Sequence, residues 1–232
     1  MTAGRDVAAP PTDGRYLTPL EARRVYDRIG RFQDWQAFYE GPAVRELIHL
    51  GGFHSAKSVL EFGCGTGAFA ARLMKIVPKD CRYVGIDLSP IMTRLATSRL
   101  TNWTGRATVI LSNGSANLPE ADGAFDYFVS NYVIDLLARE YATAVLAEAQ
   151  RVLCVGGKLC LVSLGRGTSG LSRTVTGLWE TVWKYKPQWV GGCCPSELTT
   201  LLKPNQWSID HHSKVVSFGI TSEVVVASRR QG

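Results

Sequence analysis

The residues of this chain whose types and spacing could do chemistry begin in a stretch that reads VLEFGCGTGAFA, residues 59–70. Glycine weakens strands and helices, so Gly63, Gly65 and Gly67 indicate a backbone that turns tightly or is closely approached by another group. Such a turn before a helix presents backbone N–H groups and a partly positive helix end to an anionic or polar ligand. The pattern therefore predicts a ligand site on the main chain.

The glycines alone leave the class of ligand open. Gly63, Gly65 and Ala68 satisfy the G-x-G-x-x-G/A pattern of dinucleotide-binding proteins, but a lone match of this pattern is weak. Asp87 ends the next apolar run, Tyr83-Val84-Gly85-Ile86-Asp87, and a carboxylate at a strand end can accept two hydroxyl hydrogen bonds where a nucleoside lies beside it. These residues do not decide between a dinucleotide and another ligand.

The elements around these residues alternate between strands and helices. Apolar runs predict strands at 58–62, 83–87, 108–111, 125–130 and 158–164. The helix after the glycines is expected at 68–77, with Phe69, Leu73 and Ile76 on one face. Alternation of this kind implies a parallel sheet with helices on both faces. Two last strands, 207–216 and 223–227, are only about six residues apart, too close for a helical crossover, so they should pair antiparallel.

Helices are predicted on both sides of this α/β core. Thr18-Pro19-Leu20-Glu21 is a capping box that begins a helix to about residue 29, with Leu20, Tyr26 and Ile29 facing inward. A second helical region is expected at about 34–50, interrupted near Gly41-Pro42. After the fifth strand, helically spaced apolar residues predict another helix with a buried stripe: Leu171, Val175, Leu178 and Val182.

The composition is that of a globular protein. The chain has 232 residues, of which 45% are hydrophobic and 20% charged. Neither a signal peptide nor an apolar run of the roughly 20 residues needed to cross a bilayer is visible, so a soluble, cytoplasmic protein is expected. The net charge of +6 is scattered, which disfavours nucleic acid as a partner. Six cysteines show no C-x-x-C spacing, and Cys193 and Cys194 are adjacent, so free thiols and no metal are expected.

Several motifs, in the right order, resemble the class I S-adenosylmethionine-dependent methyltransferases. Glu61 to Gly67 resembles the family's (Asp/Glu)-x-Gly-x-Gly-x-Gly motif, and the run ending at Asp87 resembles its second strand. The stretch from Pro119 to Asp126 resembles its "LP…FD" approach to the fourth strand, and Arg151 to Leu159 resembles its "RVLKPGGxL" turn. Tyr26-Asp27 is similar to an N-terminal motif of the ubiquinone/menaquinone methyltransferase subgroup. The resemblance covers roughly residues 20–230.

This resemblance implies a fold class and a domain organisation. The family has a Rossmann-like sheet of seven strands, six parallel and one antiparallel, with N-terminal helices that cover the pocket. We expect a flexible N-terminus over 1–17 and a single methyltransferase domain over 18–232. Its parts are a helical cover (18–52), a cofactor-binding core (56–164), and acceptor-side helices with the C-terminal hairpin (165–232).

The resemblance also implies which residues bind S-adenosylmethionine. The backbone of the three glycines faces the methionine part with Glu61 nearby, Asp87 binds the ribose, Leu88 lies against the adenine, and the backbone at Asn131 meets the methionine amino group. The family often has an acid followed by alanine at the position where this chain has Ser115-Ala116, and the acid accepts a hydrogen bond from the adenine amino group. The hydroxyl of Ser115 can accept the same bond, but without charge assistance. The predicted set is Glu61, Gly63, Gly65, Gly67, Asp87, Leu88, Ser115, Ala116 and Asn131.

The predicted reaction is in-line attack of an acceptor lone pair on the sulfonium methyl, accelerated by positioning and desolvation. Only a hydroxyl acceptor needs a base. Candidate bases are Tyr16, Tyr26, His54, Asp135, His211 and His212. The catalytic candidates are Tyr26 and Tyr132, expected to line the site, and Asp135, which is equally well read as a helix-start acid. Trp179 and Trp183 are either core residues or an aromatic wall over the acceptor.

Four functions remain open on the sequence. The first is methyl transfer to a nitrogen or oxygen of a small-molecule acceptor. The others are a lipid-headgroup or quinone methyltransferase at a membrane surface, a non-catalytic S-adenosylmethionine-binding regulatory module, and a dinucleotide oxidoreductase. Nucleobase methylation is disfavoured because Ser130-Asn131-Tyr132-Val133 lacks the Pro-Pro-aromatic motif of those enzymes.

Overall fold

A computed structural model describes residues 16–30, 37–168 and 170–231. The helices in these ranges are α1 (Pro19–Ile29), α2 (Ala37–Gly51), α3 (Ala68–Leu73), α4 (Pro90–Arg99), α5 (Arg139–Val152) and α6 (Gly170–Tyr185). The strands are β1 (Ser58–Phe62), β2 (Arg82–Asp87), β3 (Ala107–Leu111), β4 (Phe125–Asn131), β5 (Leu153–Leu164), β6 (Trp207–Ser217) and β7 (Ile220–Arg229).

The strands form one sheet in the order β3-β2-β1-β4-β5-β7-β6. Strands β1 to β5 are parallel, whereas β7 pairs antiparallel with both β5 and β6. One strand therefore runs against the other six. Apolar residues of the sheet and helices form two clusters, around Phe53 and Val129 and around Phe128 and Leu161. The predicted Rossmann-like sheet with its C-terminal antiparallel hairpin is confirmed.

The sheet order brings the predicted ligand residues together. β1 lies between β2 and β4, with Phe62 paired to Ile86 and Glu61 paired to Val129. The carboxyl ends of these three parallel strands therefore share one edge of the sheet, where ligands bind in open α/β folds. Gly63, Asp87 and Asn131 lie side by side along this edge.

The predicted capping box at the start of α1 is present. Thr18 Oγ1 accepts a hydrogen bond from Glu21 N at 3.3 Å, while Glu21 Oε2 accepts from Thr18 N at 2.9 Å. Ser89 caps α4 by accepting from Met92 N at 3.1 Å. In contrast, Leu20 is exposed, so the predicted inward packing of Leu20 is wrong, and no residue of α1 is fully buried.

Helix α2 continues through Pro42, so the predicted interruption is wrong. A proline inside a helix leaves the carbonyl four residues earlier without its N–H partner. Here that carbonyl belongs to Phe38, and it accepts instead from Ser217 Oγ at 3.5 Å. Residues 34–36 of the predicted helix lie outside the described residues.

Helix α3 ends at Leu73 rather than at residue 77, and Ile76 is exposed instead of packing inward. The Arg106 guanidinium donates to the carbonyls of Met74 at 3.2 Å and Pro78 at 2.8 Å. These bonds satisfy carbonyls just beyond the helix and fix the chain in a turn there.

The apolar stripe predicted for α6 is only partly buried. Leu171 and Leu178 are exposed, while Ser172 and Trp183 are the buried residues of the helix. The indoles of Trp179 and Trp183 donate to the carbonyls of Cys193 at 2.9 Å and Gly192 at 3.0 Å. The side of α6 that carries these indoles therefore faces the protein, and the leucines face outward.

All six cysteines are free thiols, as expected, and Cys64, Cys81 and Cys160 are buried. Within the described ranges, no helix is long and apolar enough to cross a membrane. Among the residues that the structure describes, no group of three or more His, Cys, Asp or Glu side chains could hold a metal ion.

Candidate active site

A cavity of about 520 Å³ opens at the carboxyl edge of the sheet. This volume lies within the range of small-molecule sites, roughly 300–1,000 Å³. The cavity is bounded by α1, α2, the glycine turn and the ends of β2 and β4. Tyr16 and Leu17 also line it, whereas residues 1–15 of the predicted flexible N-terminus lie outside the described ranges.

The three glycines of the turn serve different purposes. All have left-handed backbones, with φ of 76° at Gly63, 52° at Gly65 and 75° at Gly67. A Cβ on Gly63 would overlap the side chain of Val133, and one on Gly67 would lie 3.0 Å from Ala96 Cα. A Cβ on Gly65 would meet no atom within 4 Å. Gly63 and Gly67 therefore permit close packing, while Gly65 leaves open space beside the cavity.

Asp87 is fixed by backbone donors at the end of β2. Its Oδ2 accepts from Gly65 N and its Oδ1 from Ser89 N, both at 2.8 Å. Burial raises the pKa of Asp87, and the backbone N–H groups of Ser89 and Gly65 partly oppose that rise. Each carboxylate oxygen keeps a further lone pair for a ligand donor. The carboxyl is thus oriented before any ligand arrives.

Ser89 joins this acid to the covering helix α1. Its hydroxyl donates to Asp27 Oδ1 at 2.5 Å, while its backbone N–H binds Asp87. Asp27 belongs to the Tyr26-Asp27 pair noted in the sequence. One serine thus connects α1 to the end of β2.

Glu61 and Asn131 form a second polar group, at the ends of β1 and β4. Glu61 is 1% exposed and accepts from Tyr83 OH at 2.5 Å and from Asn131 Nδ2 at 3.3 Å. Burial raises the pKa of Glu61 to about 8 despite these two bonds. Asn131 Oδ1 is buried and has no hydrogen-bond partner among the described residues. Because buried polar atoms are nearly always paired, this group is complementary to a ligand that donates hydrogen bonds, such as an ammonium.

Tyr26 and Tyr132 line the cavity beyond β1, on the side away from β2. Tyr26 OH donates to Gly191 O at 3.4 Å, and Tyr132 OH shares a hydrogen bond of 2.6 Å with Ser222 Oγ. Tyr132 has φ of 54°, a strained value for a residue with a side chain. Burial raises the pKa of both phenols, so they remain protonated near neutral pH.

Four of the predicted site residues, Gly67, Ser115, Ala116 and Asp135, do not line the cavity. Asp135 is 1% exposed and accepts from Leu164 N at 3.4 Å, and burial raises its pKa to about 6. Ser115 Oγ accepts from Asn117 N at 3.1 Å within a turn, and Ala116 is buried in the core. Gly114 lines the cavity in their place.

The three histidines among the candidate bases do not line the cavity. His211 and His212 lie on the outermost strand β6, within 3.3 Å of Glu46 and 2.8 Å of Glu223, and His54 is exposed. Tyr16 lines the cavity and packs edge-on against Trp183 at 5.1 Å. Neither Trp179 nor Trp183 lines the cavity, so neither forms an aromatic wall over it; Trp183 is buried and Trp179 is half-buried.

The polar residues of the cavity that sequence reasoning missed include Glu40, Arg72, Arg99 and Tyr141. Arg99 Nη1 donates to Thr66 Oγ1 at 2.7 Å, and Tyr141 OH donates to Gly114 O at 2.6 Å. Arg72 follows Ala68, another lining residue, by one helical turn, so helical spacing from the glycines could have found it. No local signal marks Glu40 or Tyr141.

Comparison with known proteins agrees with this geometry. Residues 59–157 match the family described as Methyltransferase domain. Over 186 residues, the chain is 32% identical to the ubiquinone/menaquinone biosynthesis C-methyltransferase of Syntrophotalea carbinolica, covering 79% of this chain and 73% of that protein. The chain belongs to the class I S-adenosylmethionine-dependent methyltransferase family.

Particular relatives and solved structures differ in their chemistry. The chain is 33% identical over 169 residues to the malonyl-[acyl-carrier protein] O-methyltransferase of Laribacter hongkongensis; the match covers 68% of this chain and spans about half, 54%, of that protein. The N-methyltransferase NodS of Bradyrhizobium japonicum, solved with S-adenosylhomocysteine, superposes with a TM-score of 0.68 at 17% identity, covering 90% of this chain and 99% of NodS. The [4+2]-cyclase SpnF superposes with a TM-score of 0.71 at 16% identity, covering 97% of this chain and 100% of SpnF. Such structural likeness shows the fold alone.

Proposed function

We propose that this chain transfers a methyl group from S-adenosylmethionine to a nitrogen or oxygen of a small-molecule acceptor. The observation that carries the proposal is the pairing of two acidic groups on either side of the open space at Gly65. Asp87 offers lone pairs on one side, and Glu61 with the unpartnered Asn131 Oδ1 offers acceptors on the other. A ligand with ribose hydroxyls at one end and an ammonium at the other matches both groups.

The cofactor, when bound, supplies a methyl group on a positively charged sulfur that is already a good leaving group. In this proposal Asp87 accepts from the ribose hydroxyls and Leu88 packs on the adenine. Glu61 and Asn131 accept from the methionine ammonium. Arg72 and Arg99 are the cations among the described lining residues, so the methionine carboxylate is assigned to their end of the cavity.

The acceptor is assigned to the part of the cavity beyond β4. The sheet order β2-β1-β4-β5 puts Tyr132 on the opposite side of the glycine turn from Asp87. There Tyr26 and Tyr132 hold the acceptor by their rings and exclude water, which supports in-line transfer through positioning. A hydroxyl acceptor would give its proton to a carboxylate, and Glu40 lines this region. Asp135 lies behind the lining, so its proposed role is to hold the backbone at Leu164.

Binding of S-adenosylhomocysteine, measured by calorimetry, tests the cofactor assignment. Asp87→Ala should weaken binding by on the order of 2–4 kcal/mol, because the ribose loses its acceptors in a buried site. Asp80→Ala is the matched control, since Asp80 is exposed in the turn before β2, at the far edge of the sheet. Equal affinities for the two variants would contradict the assignment.

Transfer of a labelled methyl group tests the reaction itself. We expect label to move from S-adenosylmethionine to at least one small molecule with a phenolic, carboxylate or amine nucleophile. Tight binding of S-adenosylhomocysteine with no transfer to any of these classes would instead support a non-catalytic binding module.

A further inference from the structure

A row of large apolar side chains lies on the outside of α6 and the segments beside it. We call it the outer apolar face and define it as Leu171, Leu178, Tyr185, Trp189 and Phe218. Each of these side chains is 67–77% exposed. Leu171, Leu178 and Tyr185 are seven residues apart and therefore lie along one side of the helix. Exposed apolar residues that form a continuous row mark an interaction site rather than ordinary surface.

Phe218 adds an independent sign that this face is built for contact. It forms, with Gly219, the two-residue connection between β6 and β7, and both residues have positive φ, 52° and 79°. Such hairpin turns favour Asn, Asp or Gly at the first position, because a bulky residue is strained there. A Cβ on Gly219 would lie 3.5 Å from Leu171 Cγ, so this turn abuts the first turn of α6. A strained position thus presents an exposed phenylalanine next to the exposed leucines.

A series of ring contacts connects the outer apolar face to the cavity. Ring contacts join Phe218 to Phe38 at 5.4 Å, Phe38 to Tyr39 at 5.1 Å, and Tyr39 to Tyr132 at 6.1 Å. Tyr132 lines the cavity. A partner on this face would therefore lie beside the end of the cavity that the proposed function assigns to the acceptor.

The charges beside the outer apolar face are cationic. Arg173, Lys184 and Lys186 are exposed on α6 and just after it, and Lys186 Nζ lies 4.5 Å above the Trp189 ring. The acid of this helix, Glu180, is paired with Arg166 at 3.2 Å. Leucines with tryptophan and tyrosine, flanked by lysine and arginine, are the composition of helices that lie in a membrane interface.

We propose that the outer apolar face docks this protein on an anionic lipid surface, with α6 lying in the plane of the interface. The leucines and aromatic rings enter the boundary between headgroups and acyl chains, while the lysines and arginine contact anionic headgroups. The helix lies on the bilayer and does not span it, since its 16 residues are about 24 Å long, shorter than the hydrocarbon core, and carry Arg173, Glu180 and Lys184. The net charge of +6 attracts the whole chain to the same surface.

Sedimentation of the full chain with vesicles tests this proposal. The vesicles are phosphatidylcholine alone or phosphatidylcholine with phosphatidylglycerol. We expect the unmodified chain to sediment with the anionic vesicles. The double variant Leu171→Glu/Leu178→Glu should partition at least about tenfold more weakly, because two apolar anchors are lost and two acids face the headgroups.

The matched control is the double variant Ile76→Glu/Val155→Glu. Both residues are exposed apolar side chains at the edge of the sheet opposite the cavity, Ile76 before β2 and Val155 near the start of β5, and the change in charge is identical. We expect this control to bind vesicles like the unmodified chain. Circular dichroism checks the fold of each variant. Because neither leucine lines the cavity, binding of S-adenosylhomocysteine should be unchanged in both variants.

Three results would overturn the proposal. The first is an unmodified chain that stays in solution with anionic vesicles. The second is equal loss of binding in both double variants, since that would reflect net charge rather than this face. The third is an unmodified chain that binds no vesicles but forms a concentration-dependent dimer, which Leu171→Glu/Leu178→Glu abolishes. That result would show that the outer apolar face binds a second copy of the chain. Because the readout is lipid binding, failure of the proposed methyl transfer would leave these results interpretable.

Discussion

Two buried carboxyls at the candidate active site differ in what surrounds them. Asp87 receives hydrogen bonds from two backbone N–H groups, whereas Glu61 receives them only from the side chains of Tyr83 and Asn131. Backbone donors stabilise the charged form of a carboxyl, while burial favours the neutral form. Glu61 is therefore the acid whose ionisation is coupled most directly to folding, and its pKa is raised to about 8.

This coupling predicts how stability depends on pH in the ligand-free protein. Since the pKa of Glu61 is higher in the folded chain than its ordinary value of 4.5, folding favours the protonated form. That contribution is complete below about pH 4.5 and is lost as the pH rises through about 8. Glu61→Gln should remove on the order of 2–4 kcal/mol of this decline in the free energy of unfolding.

Urea unfolding at several pH values between about 3.5 and about 9, which extends beyond both ends of the shift from 4.5 to about 8, measures this effect. Glu140→Gln, at an exposed acid of α5, is the matched control and should follow the unmodified chain. If Glu61→Gln declined with pH as steeply as this control, the burial argument for Glu61 would be wrong.

At the scale of elements, the glycine turn separates packing from ligand access. Gly63 faces Val133, whereas Gly65 faces open space, although both have positive φ. A substitution at either position costs backbone strain, but only the first adds a steric clash.

Alanine substitutions should separate these two costs. Gly63→Ala should destabilise the protein by roughly 3 kcal/mol or more, from strain plus overpacking. Gly65→Ala should cost only about 1–2 kcal/mol, as should Gly105→Ala, whose φ is 96° and whose Cβ would also meet no atom within 4 Å. Of Gly65→Ala and Gly105→Ala, only Gly65→Ala should lose affinity for S-adenosylhomocysteine. The loss should be at least about tenfold, because the added Cβ occupies the ligand's space.

Thermal unfolding and calorimetry on the three variants give the comparison. Gly65→Ala that bound S-adenosylhomocysteine as tightly as Gly105→Ala would place the cofactor away from this turn.

At the scale of the whole molecule, helix α1, which covers the cavity, is held to the rest of the protein by few buried contacts. No residue of helix α1 is fully buried, whereas five residues of α5 are. Its contacts with the rest of the protein include the Asp27–Ser89 bond at 2.5 Å and the Tyr26–Gly191 bond at 3.4 Å. Segments with few buried contacts open locally at low free energy, and ligand-binding covers are drawn from such segments.

Hydrogen exchange should reveal this difference. In the ligand-free protein, amides of α1 should exchange faster than those of α5, and S-adenosylhomocysteine should slow exchange in α1 far more than in α5. Asp27→Ala should increase exchange in α1 without changing α5, because it removes the bond to Ser89. Equal protection of α1 and α5 before the ligand is added would show that the cover is not locally unstable.

Much of the fold was predictable because its signals are local. Alternating strands and helices imply a parallel sheet, and a connection too short for a crossover implies the antiparallel pair β6–β7. The apolar run of β2 predicted that Asp87 lies at the end of a strand, and the spacing of the glycines predicted the turn. Prediction failed at Pro42 and beyond Leu73, where distant partners, Ser217 and Arg106, satisfy carbonyls that local rules leave unpaired.

The sequence by itself thus determined the sheet, the glycine turn and the position of Asp87 at the end of β2, since each depends on residues within a few positions of one another. Only the tertiary structure decided which side of α6 is buried and which side chains close the cavity. The spacing of Leu171 and Leu178 shows an apolar stripe but not its partner, and the indoles of α6 bind carbonyls of a later segment instead. Glu40 and Tyr141 reach the cavity because helices far apart in sequence meet over one edge of the sheet, and helical periodicity carries no information about which helices meet.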